Sequence, residues 1–357
     1  MAQRAESEFT LDTAAELAKA EGPSAIRGRS PWYLAWRRLR RNHVAFVALA
    51  VFLLVVVACL LAPVYANHVA HTGPYDQHVL DKITVNGEQV DVVSPGGIIN
   101  GKLVPSIPIG PQWGAAGGKF VLGADRLGRD VAVRLLYGGR NSLVVGIGAS
   151  AICVILAVVL ALLAGYFGGK TDFIITRFFD LMFAFPVVLL GIALGSALSI
   201  NGFHHFGIDI ESGSLWIPLL VISYVQIPYV GRPLRGQVLS LREKEFIEAS
   251  VSQGASPFRV MFLELLPNIM SSVLVFFTLI IAINIILEAA LSFLGAGVQD
   301  PTPSWGKLIS QGQELIITRP GLAIAPGVAM IITCLSLNIF GDGLRDALDP
   351  RAKVKVN

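Results

Sequence analysis

Residues 239–267 read LSLREKEFIEASVSQGASPFRVMFLELLP, a polar interruption between two long apolar segments. Its first half, 242–253, has no Pro or Gly and is rich in helix-compatible residues, including Glu245, Glu248, Ala249 and Ser250. Gly254 then punctuates the chain. Ser256 and Pro257 restart a helix, the serine as N-cap and the proline at the first helical position, where its missing N–H does no harm. Phe258, Met261, Phe262 and Leu265 fall at i, i+3, i+4 and i+7, which predicts one apolar stripe. Pro267 closes the second helix. Periodicity alone is equally compatible with a plain surface loop.

The rest of the chain says what surrounds this elbow. Of 357 residues, 54% are hydrophobic and only 15% charged, and the mean hydropathy is +0.64. Repeated apolar runs near the length of a membrane span identify a helical membrane protein. The formal charge of +3 is small and dispersed, which argues against nucleic acid as a partner. Cys59, Cys153 and Cys334 each sit in a different apolar run and read as small apolar residues, with no metal or disulfide spacing. About forty mostly polar residues precede the first run, so that run reads as a retained span rather than a cleaved signal.

Six spans are expected, at 44–66, 142–165, 173–198, 215–230, 272–294 and 322–340. Lysine and arginine set their orientation. Segments 1–43, 166–177, 231–270 and 341–357 hold eight, two, five and four basic residues, whereas 199–214 and 296–320 hold none and two. Both termini and the elbow are therefore expected in the cytoplasm. The division this gives is a cytoplasmic tail and interfacial helix at 1–43, a first span at 44–66 and an external insertion at 67–141. A membrane-spanning core at 142–340 includes the elbow, and a cytoplasmic tail follows at 341–357. Arg37, Arg38, Arg40 and Arg41, beside Trp32, Tyr33 and Trp36, suit an amphipathic helix held by aromatics and anionic headgroups; a plain positive flank is the alternative. In the insertion, strand-forming residues 83–90 flank Asn86-Gly87, a two-residue hairpin signal, and the Gly- and Pro-dense stretch 94–118 is expected as loop.

Several features were weighed as chemistry. Residues 164–171, AGYFGGKT, fall one glycine short of a phosphate-binding loop, but a membrane span leads in rather than a buried strand. Gly165, Gly168 and Gly169 read instead as a tight turn. No hydrolytic or redox motif occurs, and His204 and His205 read as solvated loop residues. Charges inside apolar runs carry more information, because each costs free energy unless paired or wet. Arg177 and Asp180 can pair along one helix face. Glu288, one turn after Asn284, is either part of a translocation path or an interhelical hydrogen-bond anchor. Pro186 is expected to kink the third span, and Gly191 and Gly195 to form a close-packing face.

Spelling adds what periodicity does not. Glu248-Ala249-Ser250, three residues, Gly254 and then Leu266-Pro267 resembles the EAA loop of ABC-importer permeases. Leu122-Gly123-Ala124-Asp125-Arg126-Leu127-Gly128-Arg129-Asp130, with Arg134-Leu135-Leu136-Tyr137-Gly138-Gly139-Arg140, is similar to the LGTDxxGRD…RLLYGxR segment of peptide-importer permeases. So are Ala164 to Gly169, Phe179-Asp180, Ala184-Phe185-Pro186, Leu291 to Gly295, Pro301 to Gly306 and Gly341 to Arg351. Together these cover most of 120–351 and resemble the C-type permease subunit of the dipeptide, oligopeptide and nickel branch. Ala124 and Ser250 stand where that family usually has Thr and Ala, and Leu263-Glu264 where relatives are often basic.

The resemblance implies an all-α membrane protein of six helices in the type I importer permease fold, with a small external β-containing insertion. It implies a plasma-membrane, non-catalytic subunit that pairs with a sister permease as a heterodimer, two cytoplasmic ATPase subunits and an external substrate-binding protein. No cofactor is expected on this chain; ATP and Mg would sit on the ATPase partners. Glu245, Glu248, Ala249, Ser250, Gly254, Ser256, Pro257, Arg259 and Pro267 would form the coupling contact, and Asp180, Asn284 and Glu288 would line the path or anchor helices. The expected cargo is di- or oligopeptides, with nickel chelates and glutathione-like molecules as alternatives. A proton-coupled secondary transporter using Glu288 and Asp180 is the reading from another class.

Overall fold

The computed structural model describes residues 31–348 apart from 86, 100, 101, 105, 114–116 and 206. Residues 1–30 and 349–357, and with them Asp349, Pro350 and Arg351, lie outside the described residues; of the tail expected at 341–357, residues 341–348 instead continue the last helix, Gly321–Leu348. The organising element is α4, Val131–Phe167, whose 37 residues span about 55 Å at 1.5 Å per residue. It starts eleven residues earlier than hydropathy suggested, because Asp130 caps it. The Asp130 carboxylate accepts from the N–H groups of Ala132 (2.8 Å) and Val133 (3.1 Å).

Before α4 run α1 (Pro31–Arg41), α2 (His43–Leu60) and the short α3 (Ala62–Tyr65), which passes into a π turn at Ala66–Ala70. After it come α5 (Gly169–Phe183), α6 (Val187–Asn201) and α7 (Trp216–Arg242). Then follow α8 (Glu245–Ser252), α9 (Pro257–Arg259) with a π turn at Val260–Leu265, α10 (Leu266–Phe293), α11 (Trp305–Gln313) and α12 (Gly321–Leu348). Buried residues of α4 pack on α5, α7 and the elbow at one end, on α6, α7 and α10 at the other, and on α2, α10, Trp305 and α12 along a third side. Among the described residues three antiparallel hairpins decorate this bundle: β1–β2 (Lys82–Val85, Glu88–Asp91), β3–β4 (Gly97–Ile99, Lys102–Val104) and β5–β6 (Phe203–His205, Ile208–Ile210).

Among the described residues, four helical stretches are long and apolar enough to cross a membrane: His43–Leu60, Val131–Phe167, Pro257–Phe293 and Gly321–Leu348. The third expected span is not one kinked helix. Gly169–Phe183 and Val187–Ile200 meet at 88°, because Pro186 lacks the N–H that would continue the ladder and disfavours helical geometry at Phe185. The fourth expected span is the 27-residue α7, long enough to cross but diluted by Pro228, Pro233, Arg232 and Arg235. It also runs twelve residues past the expected end at 230.

Other local expectations are resolved in the same terms. Gly165 belongs to α4, not to a turn, and a Cβ there would meet Val238 of α7 at 2.5 Å. Gly168 and Gly169, at φ +64° and +51°, make the corner. Gly191 of α6 faces α10, where a Cβ would meet Leu291, and Gly195 faces the turn after it, where a Cβ would meet the Ala296 carbonyl. The β1–β2 hairpin pairs Val85 with Glu88, though Asn86 of its turn lies outside the described residues. The stretch expected as loop holds the three-residue strands β3 and β4, too short for a periodicity signal. His204 is exposed, as expected, but lies in β5 rather than a loop and is hydrogen-bonded to Asp209.

Candidate functional site

The elbow is two short helices joined at a left-handed glycine. Gly254 has φ +84° and ends α8 in a Schellman arrangement. Its N–H donates to the Val251 carbonyl (2.9 Å) and that of Ala255 to the Ser250 carbonyl (3.1 Å). The Ser256 hydroxyl accepts from the Arg259 N–H at 3.4 Å, with Pro257 behind it. Glu245 and Glu248 occupy the first turn of α8, where a negative charge suits the helix dipole.

Four apolar side chains fasten the elbow to the bundle. Ile247, Val260, Met261 and Leu265 are buried in the cluster formed by α4, α5, α7 and α10. The expected single stripe is split. Met261 and Leu265 point inward, whereas Phe258 and Phe262 are exposed, along with Phe246, Val251 and Leu263. The π turn at Val260–Leu265 adds a residue to the helical turn, so the i, i+3 neighbours Phe258 and Met261, and Phe262 and Leu265, no longer share a face. These five exposed large apolar residues lie among Glu245, Glu248, Ser250, Ser256 and Arg259 as an apolar patch on the elbow's outer side. A groove of about 970 Å³ runs along its α8 side, between Tyr166, Arg242, Glu248 and Pro257.

The membrane-level candidates lie elsewhere and not together. Asp180 bonds to Arg177 (3.4 Å), as the i, i+3 spacing predicts, and more closely to Arg232 of α7 (2.5 Å). Beside it Asp172 takes a bidentate pair from Arg235, with Nη2 to Oδ2 at 2.5 Å. Arg232 also lies 4.2 Å over the Phe183 ring at the helix break. These rungs tie α5 to α7. Asp172, Arg232 and Arg235 were missed because each partner is more than fifty residues away in sequence. A double-mutant cycle on Asp172–Arg235 is expected to give a coupling of about 1 kcal/mol, and on the more exposed Asp180–Arg232 about half of that. Equal stability losses for single and double variants would confirm the rungs; strict additivity would remove them.

Asn284 of α10 donates to Ser150 of α4 at 2.9 Å. Glu288 is fully buried and accepts from Ser292 at 2.6 Å, with the Ser142 and Ser304 hydroxyls beside it. Its second oxygen meets no donor at hydrogen-bond geometry.

At the far end of α4 the stretch 122–134 builds a second polar centre. Asp125 accepts from the N–H groups of Leu127 (2.9 Å) and Arg129 (3.0 Å) and from Arg129 Nε (2.7 Å). Arg134 is wholly buried, its Nε 3.6 Å from Asp125 Oδ2. Its guanidinium also donates to the Pro74 carbonyl (3.0 Å) and to Gln311 of α11 (3.3 Å). Asp130 accepts from the Phe120 N–H at 2.6 Å. The centre thus knots segment 74–130 to α4 and α11.

The family model for the binding-protein-dependent transport system inner membrane component matches residues 157–354, and that for the N-terminal TM domain of oligopeptide transport permease C matches 30–85. The chain belongs to the binding-protein-dependent transport system inner membrane component family. Among the relatives of this permease is the glutathione transport system permease protein GsiD of Pectobacterium atrosepticum. It is 35% identical over 91% of this chain and 93% of its own. The dipeptide transport system permease protein DppC of Alkalihalophilus pseudofirmus is 34% identical over 91% of both. A chain of the inward-facing MetNI methionine ABC transporter shares the fold, with TM-score 0.50 and 17% identity over 60% of this chain and 96% of that one. The protein is therefore a multi-pass ABC-importer permease of the membrane, and the elbow and the α5–α7 rungs fall inside the matched family region.

Proposed function

We propose that the chain is one half of the translocation pathway of an ATP-driven importer of short peptides. What supports the elbow as its drive point is one observation: a helix pair held by four buried anchors turns large apolar and acidic side chains outward. In this reading Glu245, Glu248, Ala249, Ser250, Gly254, Ser256, Pro257, Arg259 and Pro267 form the contact with a cytoplasmic ATPase. That ATPase carries ATP and Mg; this permease binds neither and breaks no bond. α7 and the broken α5–α6 pair complete six spans, with both termini and the elbow in the cytoplasm. Segment 67–141 lies outside. A sister permease, two ATPase subunits and an external binding protein complete the assembly.

The motion follows from the packing. Closure of the ATPase pair drags the elbow, and because packed helices exchange between discrete arrangements rather than bend smoothly, the bundle switches the side on which it is open. The α5–α7 rungs carry the displacement of α7 to the break at Pro186. Asn284 and Glu288, enclosed between α10 and α4, hold these helices in register rather than line a wet path.

The cargo rests on relatives named for dipeptide and glutathione transport. The test is uptake into proteoliposomes holding the complete transporter, with a labelled dipeptide and with labelled glutathione. Uptake is expected to require enclosed ATP and the binding protein and to ignore a protonophore. Uptake by this chain alone that a protonophore abolishes would establish the proton-coupled alternative through Glu288 and Asp180.

A further inference from the structure

Helix α1 meets the bundle where two surface features adjoin. Its Ala35 and Leu39 are buried, Leu39 packing with Ala347 and Leu344 of α12. Arg37, Arg40 and Arg41 are thereby turned outward, with Tyr33 and Trp36 exposed beside them. Arg40 lies 5.7 Å over the Trp36 ring, and Trp36 packs edge-on against Phe46 of α2. Two residues past α1, His43 opens an apolar groove of about 460 Å³ that continues between α2 and α12 along Val44, Val47, Val51, Ile332 and Leu335.

The groove's occupant is constrained by both features. Its exposed rims are the bulky Val44, Val47, Val51, Ile332 and Leu335, and its small residues, Ala48 and Ser336, are buried beneath them, whereas closely docked membrane helices favour small residues at the contact that let backbones approach. Its mouth is cationic. Four arginines stand within five positions of α1, and although α12 brings Asp342 and Asp346, it also brings Arg345, so the local balance stays positive. Guanidinium groups match phosphate oxygens bidentately, and Trp and Tyr beside them suit the headgroup depth.

We propose that this junction binds one anionic phospholipid, its phosphate on the α1 arginines and one acyl chain along the α2–α12 groove. The site is independent of the cargo and of the elbow. A membrane helix and its juxtamembrane arginines are here joined by a lipid that staples α1 to the bundle.

The test uses the complete transporter, purified in mild detergent from a membrane containing phosphatidylglycerol and phosphatidylethanolamine, with retained lipid quantified by mass spectrometry. Phosphatidylglycerol is expected to be enriched over phosphatidylethanolamine. Arg40→Gln/Arg41→Gln should weaken its retention about thirtyfold, near fivefold for each basic residue at the membrane surface. Val47→Trp, which fills the groove from an exposed position, should expel the same lipid while leaving the arginines in place. Elution volume and helical signal check that both variants are folded. Unchanged retention in the arginine variant, no enrichment in the parent, or a crosslink from a cysteine at position 47 to the sister permease in place of lipid would each overturn the proposal.

Discussion

Asp125→Ala is expected to cost about 3–5 kcal/mol, because removing one member of a buried ion pair strands its partners without compensation. Arg134 is wholly enclosed and Arg129 nearly so. Without the carboxylate, the N–H groups of Leu127 and Arg129 also lose their acceptor. Asp125→Asn keeps an oxygen for those N–H groups and should lose clearly less. Membrane proteins of this size unfold irreversibly in scans, so the readout is the half-life of the native tryptophan signal at raised temperature in detergent. The wild-type half-life in Asp125→Ala would show that the centre contributes little and that α4 stands without it. The loss should also free segment 74–130 to protease attack before the helices themselves yield, since Arg134 holds the Pro74 carbonyl.

The second large effect concerns motion rather than stability. Gly254 stands at φ +84° with open space where a side chain would project, so a substitution strains the backbone without a clash. Gly254→Val should cost about 1–2 kcal/mol locally, as a β-branched residue in left-handed geometry, and leave the chain inserted. If the elbow is the drive point, uptake should fall at least tenfold while the ATPase partners continue to hydrolyse ATP. Gly254→Asn, which tolerates this geometry, should retain most uptake. Normal uptake in Gly254→Val would remove the elbow from the mechanism. Equal loss in the valine and asparagine variants would assign the effect to surface chemistry instead of turn shape.

The elbow was legible in the sequence because its determinants are local. A serine followed by proline starts a helix and a lone glycine ends one, whatever surrounds them. What escaped depends on distant partners or on small changes of helical phase. Phe258 and Phe262 are expected on one stripe with Met261 and Leu265, and the π turn after Arg259 that separates them leaves no composition signal. Asp180 was assigned Arg177 as partner, while Arg232 arrives from another helix. Pro186 is legible as a kink, but the size of the bend, 88°, has no signal in one dimension. The start of α4 was hidden by hydropathy, since a helix may begin well outside the apolar stretch that reveals it. Residues 122–134 were legible as spelling but not as chemistry, because charges that neutralise one another inside a fold read, in one dimension, as a soluble loop.

The length of α4 carries a last consequence. It exceeds the roughly 30 Å hydrocarbon thickness by about 25 Å, and it is gripped at Asp130 by the polar centre and at Gly165 by α7 beside the elbow. A bar pinned near both tips magnifies rotation: a ten-degree swing about its midpoint carries each tip through about 5 Å. Whatever rocks one extremity is thus felt at the opposite one without any intervening relay of side chains.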